Sequence, residues 1–401
     1  MRNRQLHIQT RAVHAGEQPD PSTGASSPNI VMSSTFVAGT DASFSIEGND
    51  ADAPFLYSRW ANPTVAQLEQ KLADLEGAEA CVAFASGMGA IAGLMLHCLK
   101  AGDHLVMSDV AYAGASELTN DLIPRLGISV TKVDMSDLSN VEAALQPNTR
   151  LVYIESPCNP IMRLTDIASV AALCKASGAE LAVDSTFASP IATQPIALGA
   201  DYVIHSLTKY IGGHGDALGG AVLGASKTLA RLRQEITIHA GGIISPFNAW
   251  LIMRGVATLP IRMKAHETAA LSVARFLEGH QAVTQVMYPG LPSHPQHALA
   301  KKQMRNFSGM LSFQTRDGLA VARVLAERLK IIHYAVSLGH HRSLVFYLPS
   351  ESMFETSFRL SKPQEVAYKK YAGEGIFRLS VGIEDADDLC ADLDQALSHL
   401  G

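Results

Sequence analysis

The sequence is best understood from Ser206-Leu-Thr-Lys209-Tyr-Ile-Gly-Gly-His-Gly-Asp216, which follows the apolar run of residues 200–205. The apolar run predicts a buried strand, and the glycines after Lys209 predict a tight turn. A lysine at the end of a buried strand, flanked by two hydroxyl residues, suits the formation of a Schiff base with an aldehyde. The same lysine is also compatible with a surface turn, so other parts of the sequence have to decide.

Asp184 ends a second short apolar run, residues 180–184, about 25 residues before Lys209. A carboxylate at this position can hold a proton on the pyridine nitrogen of pyridoxal 5'-phosphate (PLP), which keeps the ring an acceptor of electrons. Taken alone, Asp184 is equally well explained as a turn residue. Together, the two residues predict a PLP site in which Lys209 binds the cofactor and carries the proton.

Four separated stretches support this interpretation: Tyr57-Ser-Arg59-Trp-Ala-Asn-Pro63, Ser86-Gly-Met-Gly89, the Lys209 segment and Phe377-Arg378-Leu-Ser-Val-Gly-Ile-Glu-Asp385. In this order and spacing they resemble the Cys/Met-metabolism family of PLP-dependent enzymes, which contains cystathionine γ-synthase, cystathionine γ-lyase, methionine γ-lyase and the homoserine-ester sulfhydrylases. The resemblance covers nearly the whole chain. It implies an α/β protein of PLP-dependent transferase fold type I (aspartate aminotransferase-like), with a large, doubly wound, mostly parallel sheet domain and a smaller C-terminal α+β domain.

The composition predicts a cytoplasmic oligomer. Of the 401 residues, 47% are hydrophobic and only 17% are charged, which favours burial of surface between subunits. The net charge of −6 without a basic block argues against nucleic acid or anionic membrane as a partner. Five scattered cysteines, mostly within apolar runs, indicate reduced core thiols, and no apolar leader or membrane-spanning run is present.

The chain divides into three predicted segments: residues 1–62, 63–256 and 257–401. The first lacks a sustained period and is interpreted as an extended arm, although a disordered tail would look the same. The resemblance implies that this arm reaches the neighbouring subunit. The second segment is the predicted PLP-binding α/β domain, and the third is the predicted α+β domain.

Alternating helices and strands predict a parallel sheet covered on both faces. The first helix places Val65, Leu68, Leu72 and Leu75 on one face and ends at Gly77. The predicted strands cover residues 80–84, 104–108, 129–133, 151–155, 180–184, 202–205 and 220–223. Further on, the pattern predicts helices at 90–99, 266–279 and 386–400 and strands at 310–314 and 329–338. Ligands gather at the carboxyl ends of such strands, where Ser86, Asp184 and Lys209 fall.

Ser86-Gly-Met-Gly89 opens a helix directly after a strand, so its N–H groups can hold a phosphate. The longer run Gly87-Met-Gly89-Ala-Ile-Ala-Gly93, with Asp109 beyond the next strand, also resembles a dinucleotide-binding fingerprint. A nicotinamide-dependent dehydrogenase is therefore the alternative from another class. It leaves Lys209 and Asp184 without a role.

The family resemblance implies roles for further residues. Tyr57 and Arg59 would bind the cofactor phosphate of the adjacent subunit, while Gly87, Met88, Ser206 and Thr208 would bind it locally. The resemblance also implies that Tyr112 stacks on the pyridine ring and transfers a proton to the leaving group.

Three more residues complete the implied site. Asn159 would contact the phenolic oxygen of PLP, and Arg378 would bind the substrate α-carboxylate with the help of Ser337. No metal is expected, because none of His205, His214, His340 and His341 has the spacing of zinc ligands.

Departures from the family pattern bear on the substrate. Val336 stands where cystathionine-handling members have a glutamate, and Gly114 stands where methionine γ-lyases have a cysteine. His340-His341-Arg342 replaces smaller and acidic residues, which indicates either an altered pocket wall or a solvated loop.

The expected reaction is γ-elimination from a γ-substituted L-amino acid of homoserine or homocysteine type. The leaving group is S-linked or O-linked, as in canavanine, for which acidic residues near Glu47 and Asp50 are the visible recognition candidates. The alternative is γ-replacement, as in cystathionine γ-synthase or an O-acylhomoserine sulfhydrylase. Water as the nucleophile, giving homoserine, also stays open.

Overall fold

The computed structural model describes residues 6–40 and 55–400, and its larger sheet has seven strands. They are β1 Ala80–Phe84, β2 His104–Ser108, β3 Ser129–Val133, β4 Thr149–Glu155, β5 Glu180–Asp184, β6 Tyr202–Ser206 and β7 Gly220–Gly224. Their spatial order is β1-β7-β6-β5-β4-β2-β3. Strand β7 is antiparallel to both of its neighbours, and the other pairs are parallel. The predicted mostly parallel sheet is confirmed, as are all seven strands.

Helices cover both faces of this sheet, and others pack on the second one. The α-helices are α1 Ile8–His14, α2 Pro63–Glu76, α3 Gly87–Cys98, α4 Ala113–Arg125, α5 Leu138–Ala144, α6 Ile167–Ser177, α7 Ser189–Ala192, α8 Ser226–Leu232, α9 Pro246–Ala257, α10 Leu259–Gly279, α11 His297–Gln303, α12 Gly318–Arg328, α13 Ser350–Met353, α14 Lys362–Ala372 and α15 Ala386–Leu397. Short 3-10 turns lie at Pro195–Leu198 and Ser398–Leu400, and π-helical turns at Arg233–His239 and Phe354–Phe358. No helix in the described ranges is long and apolar enough to cross a membrane.

Helix α2 illustrates how local sequence sets an element. The Asn62 side chain accepts from the Thr64 N–H and caps the first turn, while Gly77 ends the helix with φ of 76°. Leu68 and Leu72 are buried on one face of the helix, as their helical spacing predicted.

The smaller sheet differs from its prediction. Its strands are β8 Val283–Met287, β9 Met310–Thr315, β10 His333–Tyr334, β11 Leu344–Pro349 and β12 Gly375–Ser380, in the order β10-β11-β12-β9-β8. The predicted strand at 329–338 is wrong except for the two residues of β10. The reason is a buried carboxylate: Asp392 accepts from the backbone N–H groups of residues 330, 331 and 332, which holds that stretch as a turn.

The N-terminal segment is not wholly extended, because α1 packs on the chain's own α2, α9 and α10. The buried Lys71 ammonium of α2 donates to the carbonyl oxygens of Ala12 and Val13 and pairs with Glu17 at 2.6 Å. The prediction of an extended arm is therefore wrong over Ile8–His14, which form a helix. Because only one residue of this helix is buried, the sequence shows no helical spacing of apolar residues there. Glu47 and Asp50 lie outside the described residues.

One hydrophobic cluster joins the two sheets across the predicted boundary at residue 257. It contains Tyr210 and Met253 from before the boundary and Met263, Met310 and Leu338 from after it. The division into segments 63–256 and 257–401 stays a prediction. The shared cluster holds residues of the smaller sheet against the Lys209 turn.

The five cysteines are all free. Burial raises the pKa of the Cys81 and Cys158 thiols well above the ordinary value. Cys81, Cys158 and Cys174 are buried core thiols, as their apolar surroundings in the sequence indicated, while Cys98 and Cys390 are partly exposed.

Candidate active site

Three strand ends bring the predicted site residues together. Because β7 is antiparallel to both β1 and β6, the latter two strands run in the same direction and end at the same edge of the sheet. Gly220 pairs with Phe84 on one side and with Ser206 on the other. Ser86, Ser206 and the end of β5 at Asp184 therefore lie along one edge, as predicted.

A tight backbone cradle forms where α3 begins. The Ser86 hydroxyl accepts from the Gly89 N–H at 3.0 Å and caps the helix. A methyl group on Gly87 would lie 2.9 Å from the Ser206 Oγ, and one on Gly220 would overlap the Ser86 carbonyl oxygen. Only glycines allow this approach of β1, β6 and β7. The first N–H groups of a 12-residue helix at this place suit a phosphate dianion.

Lys209 lies in the turn after β6, and its ammonium donates to the Ser337 hydroxyl at 3.1 Å. Burial, followed by the positive charge of Arg378, lowers the pKa of Lys209 to about 8. Arg262, which the sequence pattern did not single out, supports this turn. This buried guanidinium donates to the carbonyl oxygens of Tyr210, Ile211 and Gly255, so it ties the turn to helix α9.

Asp184 is only 5% exposed, and its two carboxylate oxygens accept from different donors. The Tyr153 hydroxyl donates to Oδ2 at 3.1 Å, and the Thr186 N–H donates to Oδ1 at 3.0 Å. Burial raises the pKa of this carboxyl group, while the Thr186 hydrogen bonds oppose the shift. A buried carboxylate with unused acceptor capacity fits a protonated pyridine nitrogen. Thr186 also accepts from the Ser206 N–H at 2.9 Å, which ties β5 to the cradle.

Glu155 is a second residue that the sequence pattern did not single out. It ends β4 beside Asp184 in register and is 3% exposed. Its carboxylate accepts from the backbone N–H groups of Tyr112 at 2.7 Å and Asn159 at 2.8 Å. Burial, followed by the charge of Asp184, raises its pKa well above the ordinary value. The signal was present, because residues 151–155 form an apolar run ending in a carboxylate, as residues 180–184 do.

Arg378 connects three of the predicted residues. From β12 its guanidinium donates to the Asn159 side-chain oxygen at 3.1 Å and to the Ser337 carbonyl oxygen at 3.1 Å. Burial lowers its pKa, and the Glu155 charge opposes that shift. Lys209, Ser337, Arg378 and Asn159 thus form one hydrogen-bonded group. Thr208 lies beside it and exchanges hydrogen bonds with the Gly219 backbone.

The Tyr112 ring is 44% exposed and lies at the N-terminus of α4. A Cβ atom on Gly114 would come within 2.9 Å of both Tyr112 Cε1 and Met88 Sδ. A side chain at 114 would therefore displace the ring or the thioether. The glycine that departs from the family pattern lets Tyr112 and Met88 approach each other beside the cradle.

Two predicted residues stand apart from the Lys209 group. The Arg59 guanidinium donates to the Ile238 carbonyl oxygen and lies 5.4 Å from the centre of the Tyr57 ring. Neither Ile238 nor Tyr57 belongs to the Lys209 group. Tyr57 is 39% exposed. Their predicted role in an adjacent subunit stays a prediction.

The structure gives no support to the dinucleotide alternative. Asp109 is 1% exposed and is hydrogen bonded to the buried Arg163 guanidinium and to the Val110 N–H. It is therefore engaged in the core, away from a ribose. Within residues 6–40 and 55–400, no three His, Cys, Asp or Glu side chains lie together as a metal site requires.

The half-buried lysine in its turn, the buried Asp184 carboxylate at a neighbouring strand end and the cradle at the start of α3 together fit the binding of PLP. The family model for Cys/Met metabolism PLP-dependent enzymes matches residues 9–398, and the chain belongs to this family. The nicotinamide-dependent alternative is therefore wrong.

Similar proteins carry several names within this family. The chain is 41% identical to a cystathionine gamma-synthase of Mycobacterium leprae over 391 residues, which is 98% of this chain and 97% of the relative. It is 38% identical to a canavanine gamma-lyase of Pseudomonas canavaninivorans over 397 residues, or 98% of this chain and 97% of the relative. The crystal structure of a Lactobacillus plantarum cystathionine gamma-lyase complexed with L-serine aligns with a TM-score of 0.88 at 36% identity, covering 98% of this chain and 99% of that one. The fold type and the cofactor predicted from the sequence are confirmed.

Proposed function

We propose that this enzyme is a γ-lyase that expels an S- or O-linked group from the γ-carbon of a homoserine- or homocysteine-type L-amino acid. The products are 2-oxobutanoate, ammonia and the free leaving group. The observation that carries the proposal is Val336, which is 65% exposed directly before Ser337. An apolar side chain here offers no carboxylate to the distal amino group of cystathionine, so it disfavours that substrate.

The proposed division of labour follows from the contacts of each residue. Arg378 binds the substrate α-carboxylate with its planar guanidinium and, with Ser337, orients the α-hydrogen toward Lys209. Lys209 Nζ removes the α-proton, gives this proton up again and, once neutral, removes a β-proton; its lowered pKa keeps the amine available as a base near neutral pH. Tyr112 gives a proton to the departing atom. Bound PLP supplies the electron-accepting ring that stabilises negative charge at the α-carbon.

The remaining residues hold the cofactor in this proposal. Asp184 would keep the pyridine nitrogen of bound PLP protonated, and Asn159 would contact its phenolic oxygen. The cradle of Gly87, Met88, Ser206 and Thr208 would bind the phosphate. Glu155 orients the backbone of Tyr112 and Asn159 through its two hydrogen bonds.

We further propose that Tyr57 and Arg59 complete the phosphate site of an adjacent subunit, in a cytoplasmic tetramer built from two dimers. Arg59→Ala and Lys209→Ala proteins should each be inactive. Mixed and reassociated, they should regain activity, because some dimers then contain one site with both native residues. Equal inactivity before and after mixing would contradict shared sites, and a fully active monomer in sedimentation would do the same.

The test of the reaction is a substrate screen with and without an added thiol. Methionine, homocysteine, cystathionine, O-acetylhomoserine, O-succinylhomoserine and canavanine are each incubated with the holoenzyme, and the carbon product is identified. Release of 2-oxobutanoate without a thiol supports the lyase. Val336→Glu should raise activity on cystathionine relative to Val336→Gln, the uncharged control of equal size. No 2-oxobutanoate from any of the six would overturn the proposal.

The second candidate is γ-replacement, favoured by the relative named cystathionine gamma-synthase at 41% identity. Strict dependence of turnover on a thiol would assign this chain to that reaction. Homoserine as the product would assign water as the nucleophile.

A further inference from the structure

His340 is a further member of the hydrogen-bonded group that contains Lys209 and Ser337, and it has no role in the proposed reaction. Its Nε2 lies 3.2 Å from the Ser337 hydroxyl oxygen. The same oxygen accepts from Lys209 Nζ at 3.1 Å. Three titratable or hydroxyl groups therefore form an unbroken chain from the lysine to the imidazole.

The backbone holds this chain of groups in place. A Cβ atom on Gly339 would lie 2.6 Å from the Tyr210 nitrogen, so the loop that carries Ser337 and His340 lies directly against the lysine turn. Across from it, the His340 ring packs on Gly215, where an added Cβ would lie 2.7 Å from the ring Cε1. The His341 N–H donates to the Gly213 carbonyl oxygen at 3.0 Å, which fastens the loop to the turn.

Hydrogen-bond chemistry gives the chain a direction. The Ser337 hydroxyl has a single hydrogen, and because its oxygen accepts from Lys209, that hydrogen is available to His340. A neutral imidazole with its hydrogen on Nδ1 accepts at Nε2. A protonated imidazole donates instead, and the hydroxyl then turns its hydrogen toward a neutral lysine.

We propose that Ser337 and His340 form a proton relay for Lys209. A proton held on the lysine leaves when an Nζ–H bond breaks as a new Oγ–H bond forms on Ser337. The original Oγ–H bond breaks as an Nε2–H bond forms on His340, so one proton moves from ammonium to imidazole. Lys209 is then neutral and ready to act again as a base.

Burial and the groups that face His340 make it a transient holder of the proton, because together they lower its pKa and so favour onward release. Burial lowers the pKa of His340, the charges of Lys209 and His341 lower it further, and Asp216 opposes them. Lys209 is faced by Arg378, whose charge lowers the pKa of the lysine in addition to burial. Repulsion between the two ends of the relay favours a single shared proton over two.

The relay rests on the proposed role of Lys209 as proton carrier but not on the identity of the leaving group. It is therefore tested with L-norvaline, an amino acid without a γ leaving group. The holoenzyme is incubated with norvaline in D₂O, and NMR follows the replacement of the α-hydrogen by deuterium. The reaction is followed until each active site has exchanged many substrate molecules. Failure of γ-elimination leaves this measurement intact, so the two proposals can fail separately.

His340→Gln keeps a polar atom near Ser337 but cannot take a proton. It should slow steady-state α-hydrogen exchange by about 10²-fold, the low end for a positioned acid–base group. His341→Gln, which removes a neighbouring imidazole but leaves the Lys209–Ser337 and Ser337–His340 hydrogen bonds in place, should exchange α-hydrogen like the wild type. Ser337→Ala is the second variant and removes the bridging oxygen. Its rate of α-hydrogen exchange should fall at least as far as that of His340→Gln. Wild-type exchange in His340→Gln, or an equal loss in His341→Gln, would overturn the relay.

A second readout uses the apoprotein, without turnover. Covalent uptake of PLP requires a neutral Lys209, so its rate is followed against pH by the growth of the visible absorption band. In the wild type the fall of this rate with decreasing pH should flatten once His340 becomes charged, because the charged imidazole favours a neutral lysine. In His340→Gln the fall should continue without flattening, and identical profiles in the two proteins would contradict the proposal.

Discussion

Replacing Gly220 by alanine tests whether the close approach of three strands builds the phosphate cradle. Gly220 pairs with Phe84 of β1 and with Ser206 of β6. The added methyl group would overlap the Ser86 carbonyl oxygen and lie 2.9 Å from the Gly87 Cα. Both are backbone atoms, so no side-chain rotation can relieve the contact. The strands have to separate at the point where α3 begins.

Overpacking of this kind costs about 1–3 kcal/mol. This free energy is shared between folding and cofactor binding. The fold-changes in the two equilibrium constants should therefore multiply to roughly 5- to 150-fold. We expect Gly220→Ala to lower the free energy of unfolding of the apoprotein and to raise the dissociation constant of PLP. Urea denaturation followed by circular dichroism measures the first, and titration of the apoprotein with PLP measures the second.

The matched control is Gly279→Ala at the end of α10, where an added Cβ meets no atom within 4 Å. This change should leave PLP binding unchanged and raise stability by up to about 0.5–1 kcal/mol, because alanine has less freedom to lose on folding than glycine. If Gly220→Ala unfolds at the wild-type midpoint and binds PLP with wild-type affinity, the cradle does not depend on this approach.

Three further predictions concern the buried charges. Asp184→Asn should fold and bind PLP but lose about 10²-fold or more in kcat, because an amide cannot hold the proton on the pyridine nitrogen; near-wild-type kcat would contradict this. Glu155→Gln should lower the free energy of unfolding by about 1–3 kcal/mol in urea titrations, since one amide oxygen replaces two carboxylate oxygens and a buried N–H of Tyr112 or Asn159 loses its partner; an unchanged midpoint would count against it. Because burial lowers the pKa of Lys209 to about 8, the neutral amine increases as pH rises, so covalent uptake of PLP should speed up to pH 8 and then level off; a rate that still climbs above pH 9 would mean an ordinary lysine with a pKa of about 10.4.

The larger sheet and its ligand edge were predictable from the sequence for a local reason. Most of its strands are short apolar runs, and the runs that form the site end in a polar residue such as Asp184. The strand pattern and the position of Lys209 after β6 both follow from such runs. Glu155 could have been found by the same rule applied once more.

The smaller sheet was predictable only in part, at residues 310–314 of β9, and the relay was not predictable, because their other contacts are not local. Ser337 is 128 residues from Lys209, and Arg378 is 219 residues from Asn159. No pattern within a run of residues encodes such pairs. The predicted strand at 329–338 failed for the same reason, because the carboxylate that turns this stretch, Asp392, lies about 60 residues further along the chain.

The most direct test of the site is to locate the covalently bound cofactor. The holoenzyme is reduced with borohydride, which fixes the lysine-bound PLP permanently, and is then digested and mapped by mass spectrometry. The pyridoxyl group should be found on Lys209 and on no other lysine, and the Lys209→Ala protein should carry none. A pyridoxyl group on a different lysine of the wild type, such as Lys132, would contradict the assignment of the site.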